Sequence, residues 1–157
     1  MTRIRFTALA TDVVETYQAG GLDANDQKPE VHISDGDGVP CRHCLSTVAA
    51  GEPYLILAHR PFPDKQPYAE LGPIFLHGDF CPRHEETAGV PPMLRGYHQV
   101  LVRGYGADNR IRYGTGRIVP GGQLAETAEA MLAEEGIVYL HVRSASNNCF
   151  LCRIDRA

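Results

Sequence analysis

The sequence predicts an α+β fold: a compact, strand-rich single domain over residues 1–157, with a helix in its C-terminal half packed on a sheet. Three observations lead there. Short apolar runs, alternating or continuous, recur along the chain and are bounded by Gly, Pro or Asn. One longer stretch, 123–135, instead repeats Leu124, Ala128, Met131 and Leu132 on a single helical face. Sixteen Gly and eleven Pro among 157 residues require many turns, and an apolar content of 43% suffices for a hydrophobic core.

Each element follows from its own pattern. Ile4, Phe6 and Ala8 alternate with Arg5 and Thr7, as in a strand with one buried face. Thr11–Gln18 fits a short helix that Gly20-Gly21 ends. Residues 24–39 are polar and turn-rich, and are expected to form a mobile surface excursion leading to Cys41. Tyr54–His59 reads as a buried strand and Pro73–His77 as a second. Between them Pro61, Pro63 and Pro67 reject regular structure and leave a wide loop carrying Tyr68 and Glu70. His98–Tyr105 and Arg110–Tyr113 are expected as neighbouring strands around a turn at Gly106–Asn109. Gly114, Gly116, Gly121 and Gly122 are expected to make an exposed, flexible bend. After the helix, which Gly136 stops, Ile137–Arg143 and Phe150–Ile154 are the last strands. Residues 144–149 form either a hairpin return or a structured binding loop between them.

Charge and targeting signals narrow the classes of function. Fifteen basic against nineteen acidic side chains leave a net charge of -4, which offers no electrostatic reason for a nucleic-acid partner. No run approaches the roughly 20 apolar residues of a membrane span, and Met1–Leu9 is too short and too charged for a signal-peptide core. A cytoplasmic protein without a membrane partner is therefore expected, its five cysteines serving as thiols, ligands or small buried groups rather than disulfides.

The strongest chemical signal is a pair of knuckles, Cys41-Arg-His-Cys44 and Cys81-Pro-Arg-His84. Each can present two soft or borderline donors from one tight turn, so Cys41, Cys44, Cys81 and His84 are the expected ligands of a zinc ion. The competing reading is buried thiols beside a surface imidazole. The same residues also partition as Cys-x-His and Cys-x-x-His, the ligand pairs of a Rieske cluster, but without its glycines or further cysteines.

A second set of residues points to a polar pocket. His77 and Asp79 share a face if the strand runs that far, which would make them an acid/base pair or metal-supporting groups. In His141-Val-Arg-Ser-Ala-Ser-Asn-Asn-Cys149, His141 and Arg143 share one face opposite Val142. An Arg fork beside Asn147 and Asn148 can hold a carboxylate or phosphate, and Cys149 beside His141 can act as a nucleophile. The plainer alternative is that Arg143 anchors a buried carboxylate while the asparagines cap turns. Cys149 and Cys152 would project to opposite faces of a strand, which favours buried thiols over a dithiol. The glycines at 114–122 complete neither a phosphate loop nor a dinucleotide fingerprint.

Taken as an ordered set, Pro40-Cys-Arg-His-Cys44, Pro73-Ile-Phe-Leu-His77, Arg103-Gly-Tyr105, Tyr113-Gly-Thr-Gly116 and the 141–149 segment resemble the bacterial family designated domain of unknown function 1203. The resemblance implies a compact bacterial protein and carries over no catalytic residues. The leading expectation is a zinc-containing protein that binds a small polar or anionic molecule. A Cys/His-dependent hydrolase or oxidoreductase, and a structural or protein-interaction module, are the alternatives.

Overall fold

Two antiparallel sheets organise the protein, and the candidate chemistry lies where they approach each other. The computed structural model describes residues 3–87 and 89–157; Met1, Thr2 and Ala88 lie outside the described residues. The fold is α+β. In chain order the elements are β1 (Ile4–Thr7), α1 (Thr11–Gln18), β2 (Glu30–Ile33), β3 (Pro53–His59), β4 (Gly72–His77), α2 (Pro92–Arg95), β5 (Gln99–Tyr105), β6 (Arg117–Pro120), α3 (Leu124–Leu132), β7 (Tyr139–Ser144) and β8 (Phe150–Arg156). The larger sheet runs β1-β8-β7-β5-β6 and the smaller one β2-β3-β4.

Period-two alternation decides what each face of the larger sheet carries. Phe6, Val100, Val102, Leu140, Val142 and Ile154 are buried with Leu124, Ala128, Met131 and Leu132 of α3, forming the main core. The helix thus packs on this sheet through the apolar stripe read from the sequence. The opposite face carries Arg103 and Tyr105 of β5, Tyr139, His141 and Arg143 of β7, and Arg153 of β8; His141 pairs across the strands with both Arg103 and Arg153. A bulge between Val142 and Arg143 shifts the β7–β8 register just before the 144–149 return.

The smaller sheet has its own core. Leu55 and Leu57 of β3 meet Ile74 and Leu76 of β4, with Val14 of α1 and Cys41 packed against them. The Pro-rich loop between β3 and β4 lays Phe62 onto Tyr105 and Tyr139 of the larger sheet.

Three expectations change. The segment read as a mobile excursion contains β2, which pairs with β3 in the register Val31↔Leu55. Its side chains are all exposed, and the alternation of Val31 and Ile33 with Glu30 and His32 spans only four residues of a polar, turn-rich stretch. Arg110–Tyr113 forms only an isolated bridge, Tyr105↔Ile111. The strand that flanks β5 on the side away from β7 is β6, inside the Gly/Pro-rich stretch expected to be a flexible bend, with Val100↔Val119 in register. Among the described residues, no helix is long and apolar enough to cross a membrane.

Candidate metal centre and adjoining cleft

The first knuckle is a tight reversal. Pro40 bridges to Thr47, Cys41 N–H donates to Ser46 O (2.8 Å), and Leu45 N–H donates to Cys41 O (2.9 Å). Leu45 has φ 55°, a left-handed conformation in which a branched side chain is uncommon. The main core holds it there: Leu45 is fully buried in that core, and its carbonyl accepts from Met93 N–H. Burial therefore does here what a glycine does in other knuckles.

The second half of the centre hangs from β4. Pairing with β3 places His77 opposite Tyr54, and Gln18 of α1 donates to both His77 O (3.0 Å) and Asp79 O (2.8 Å). Between these two residues, Gly78 passes so close to Pro53 that an added Cβ would lie 3.1 Å from its side chain and 3.2 Å from its backbone. A larger residue would displace the end of the strand.

These anchors bring Cys41, Cys44, His77 and Cys81 together, with one donor atom of each within 4.8 Å of the others. A tetrahedral zinc site has S–S edges of about 3.8 Å and S–N edges of about 3.6 Å. The corresponding separations are 3.9 Å for Cys41 Sγ to Cys81 Sγ and 3.5 Å for Cys44 Sγ to His77 Nδ1. Three of the four expected ligands are thus brought together, but the imidazole among them is that of His77, not His84. His84 lies outside the group: its N–H donates to His43 O (2.9 Å), and its Nε2 is buried with no partner among the described residues. The Cys-x-x-His spacing of 81–84 mimics a ligand pair, whereas the pair that the fold brings into the group is His77-x-x-x-Cys81. One compact group of three sulfurs and one imidazole also departs from the two-Cys, two-His set of a Rieske cluster.

Neighbouring groups support the donors. His77 Nε2 lies 3.6 Å from Glu52 Oε2, so the ring can present Nδ1 to an ion while the carboxylate holds its other nitrogen. His77 N–H donates to Cys41 Sγ (3.3 Å). His43 Nδ1 lies 3.1 Å from Cys81 Sγ, and its Nε2 lies 2.9 Å from the Thr11 hydroxyl, an arrangement suited to Nδ1–H donating to sulfur and Nε2 accepting. Hydrogen bonds from Cys44 and Cys81 hold the Cys41 thiol far below its usual range, while the same contacts push Cys44 up to about 11 and Cys81 strongly upward. One thiolate is therefore favoured and the next two are resisted, a balance that a dication would reverse. His77 is raised, chiefly by its hydrogen bond with Cys41.

The residues expected to form one polar pocket divide between two places. His77 belongs to the cysteine group. Asp79 is exposed beyond the end of β4, and the carboxylate facing His77 is that of Glu52. Arg143, Asn147, Asn148 and Cys149 line a cavity of about 240 Å³ between the sheets, completed by His59, Glu70 and Phe150. His141 lines an adjoining cavity of about 140 Å³, which shares His59, Pro61 and Phe150 with the first. Cys152, by contrast, is buried in the main core, where desolvation pushes its thiol up to about 12.

Arg143 and Glu70 are the charged residues lining the larger cavity. Arg143 Nε donates to Asn148 Oδ1 (2.9 Å) and Asn148 O (3.2 Å). Its outer nitrogen lies 3.8 Å from Glu70, which also pairs with Arg103. Arg42 is buried and donates only to backbone, to Phe150 O and Pro40 O (2.8 Å each). Burial, then Arg42 and Arg60, lower His59 to about 4. His141 is fully buried among Phe62, Tyr105, Tyr139 and Phe150, and neither ring nitrogen has a partner among the described residues. Desolvation, then Arg143 and other cations, keep it neutral well below its usual range. Glu70, Arg103 and Arg42 were not singled out from the sequence for this cleft: Glu70 lines it from a distant segment, Arg103 pairs with Glu70, and Arg42 lies near enough to His59 to lower it.

No curated protein and no solved structure matches this chain. The profile of one family, described as "Protein of unknown function (DUF1203)", matches residues 38–156. That span holds every donor of the cysteine group and both arginines paired to Glu70. The chain belongs to the DUF1203 family.

Proposed function

We propose that this is a zinc-containing protein whose ion is structural, and whose cleft between the sheets binds a small polar or anionic molecule. The observation that carries the first part is the group of three sulfurs and one imidazole, all within 4.8 Å, with its Cys41–Cys81 and Cys44–His77 separations at tetrahedral edge lengths. Soft thiolates with one imidazole suit zinc, and four protein donors leave no open position for Lewis-acid chemistry. The ion would tie the 41–44 knuckle to the end of β4, joining segments more than 30 residues apart. Arg143 at the wall of the 240 Å³ cavity, sharing its Glu70 partner with Arg103, supports the second part.

Protein purified without a histidine tag and analysed for metal tests the assignment. About one zinc per chain is expected, with Cys41, Cys44 and Cys81 protected from thiol labelling until a chelator is added. Zinc well below stoichiometry, with those thiols labelled freely, would overturn it.

A further inference from the structure

Arg103, His141 and Arg143 form a row on the inner face of the larger sheet, with Arg103 directly opposite His141 and Arg143 two residues along β7. The row is pre-positioned. Arg103 Nε donates to the Tyr105 hydroxyl (2.7 Å) and Arg143 Nε to Asn148 (2.9 Å), leaving an outer nitrogen of each directed at the same carboxylate, that of Glu70. Two guanidiniums converging on one carboxylate form an oxyanion site that a side chain of the protein already fills. The Pro-rich loop supplies this side chain and also Phe62, whose ring lies 5.1 Å from the His141 imidazole. One segment therefore covers both halves of the row.

The His141 ring supplies the independent sign of a ligand. Buried polar groups are normally paired, and each unpaired one in a native fold calls for an explanation. Here both ring nitrogens are unpaired at the wall of a cavity. A purely structural role would be better served by an apolar ring among these four aromatic neighbours.

We propose that the Arg103–His141–Arg143 row binds a small molecule bearing an oxyanion, whose carboxylate or phosphate displaces Glu70 from between the guanidiniums and whose adjacent hydrogen-bonding group meets His141. This rests on the ligand-binding part of the preceding reading and adds the site, the ligand class and the internal competitor. Glu70 is suited to such exchange because its side chain is 42% exposed, while those of Arg103 and Arg143 are 15% and 9% exposed. A protein that is competent only while Glu70 is displaced binds more weakly, in proportion to that fraction.

The test is a calorimetric and NMR titration of the zinc-loaded full chain with acetate, glycolate and inorganic phosphate. Wild type is compared with Glu70→Gln, Glu70→Gln/Arg143→Gln and Glu70→Gln/His141→Phe. Glu70→Gln is expected to bind at least one probe about tenfold more tightly than wild type, the gain lost with Arg143→Gln. A carboxylate response identifies one source of the oxyanion and a phosphate response the other. Glycolate is expected to exceed acetate, and His141→Phe to erase that preference. In folded wild type, glycolate should also shift the His141 ring nitrogen resonances, a readout that needs no variant. Binding that depends on Arg143 but is not tightened by Glu70→Gln overturns this inference and leaves the preceding reading standing. No binding of any probe to wild type or Glu70→Gln overturns both.

Discussion

Replacing His77 and His84 separately distinguishes the ligand assignment given by the fold from the one that spacing alone favours. Structural zinc binds small domains with roughly 10–16 kcal/mol of apparent free energy shared among four donors. Removing one donor therefore costs about 3 kcal/mol, and a water entering the vacated position recovers part of it, leaving a loss of roughly 30- to 150-fold in affinity. His77→Ala should show this loss, because its Nδ1 stands 3.5 Å from Cys44 Sγ within the cluster. His84→Ala should keep zinc affinity within about twofold, because its Nε2 reaches none of the sulfurs and the backbone contact to His43 survives substitution. The assay is competition of untagged protein against a chromogenic chelator of known zinc affinity, with folding checked by circular dichroism. Retention of zinc by His77→Ala and its release by His84→Ala would refute the reasoning.

Three further outcomes can be measured. Glu52→Gln should weaken zinc by about tenfold, the lower end for loss of a carboxylate behind a ligand, since Glu52 is 55% exposed; an unchanged chelator titration would remove its supporting role. His59 stays neutral in the fold down to about pH 4, whereas the unfolded chain takes up that proton near pH 6.5. Stability should therefore fall as pH drops from 6.5 to 4, by about 2–3 kcal/mol more in wild type than in His59→Gln; parallel pH profiles in denaturant titrations would contradict this. His141→Phe should gain about 1–2 kcal/mol, because it removes two unpaired buried polar atoms at a cost in crowding that the neighbouring cavity limits, and a large drop in Tm would show that the ring nitrogens have partners.

The parts legible in the sequence were those encoded by neighbours in the chain. The α3 stripe at Leu124, Ala128, Met131 and Leu132 packs as its period requires, and α1 spans the residues expected of it. Alternation also places His141 and Arg143 on one face of β7. What was not legible depends on pairing. The height of His77 beside Cys81 is set by its register with Tyr54, and no spacing within 81–84 reports it. Strands β2 and β6 escaped notice because each is a four-residue edge strand set among turn-forming residues, with Val31, Ile33 and Ile118 exposed rather than built into a core. Glu70 and Arg103 meet only because a proline-rich loop folds back across a sheet formed later in the chain.

Leu45 gives the proposed metal centre a reach beyond its own shell. Cys44 is a proposed ligand, and the very next side chain is locked into the hydrophobic interior beneath α3. Loss of the ion would slacken the reversal that keeps Leu45 in its left-handed pose, and the vacancy would open in the larger interior rather than at the rim. Demetallation should consequently melt both sheets in a single cooperative transition, so that zinc supply would govern how long the whole chain survives proteolysis.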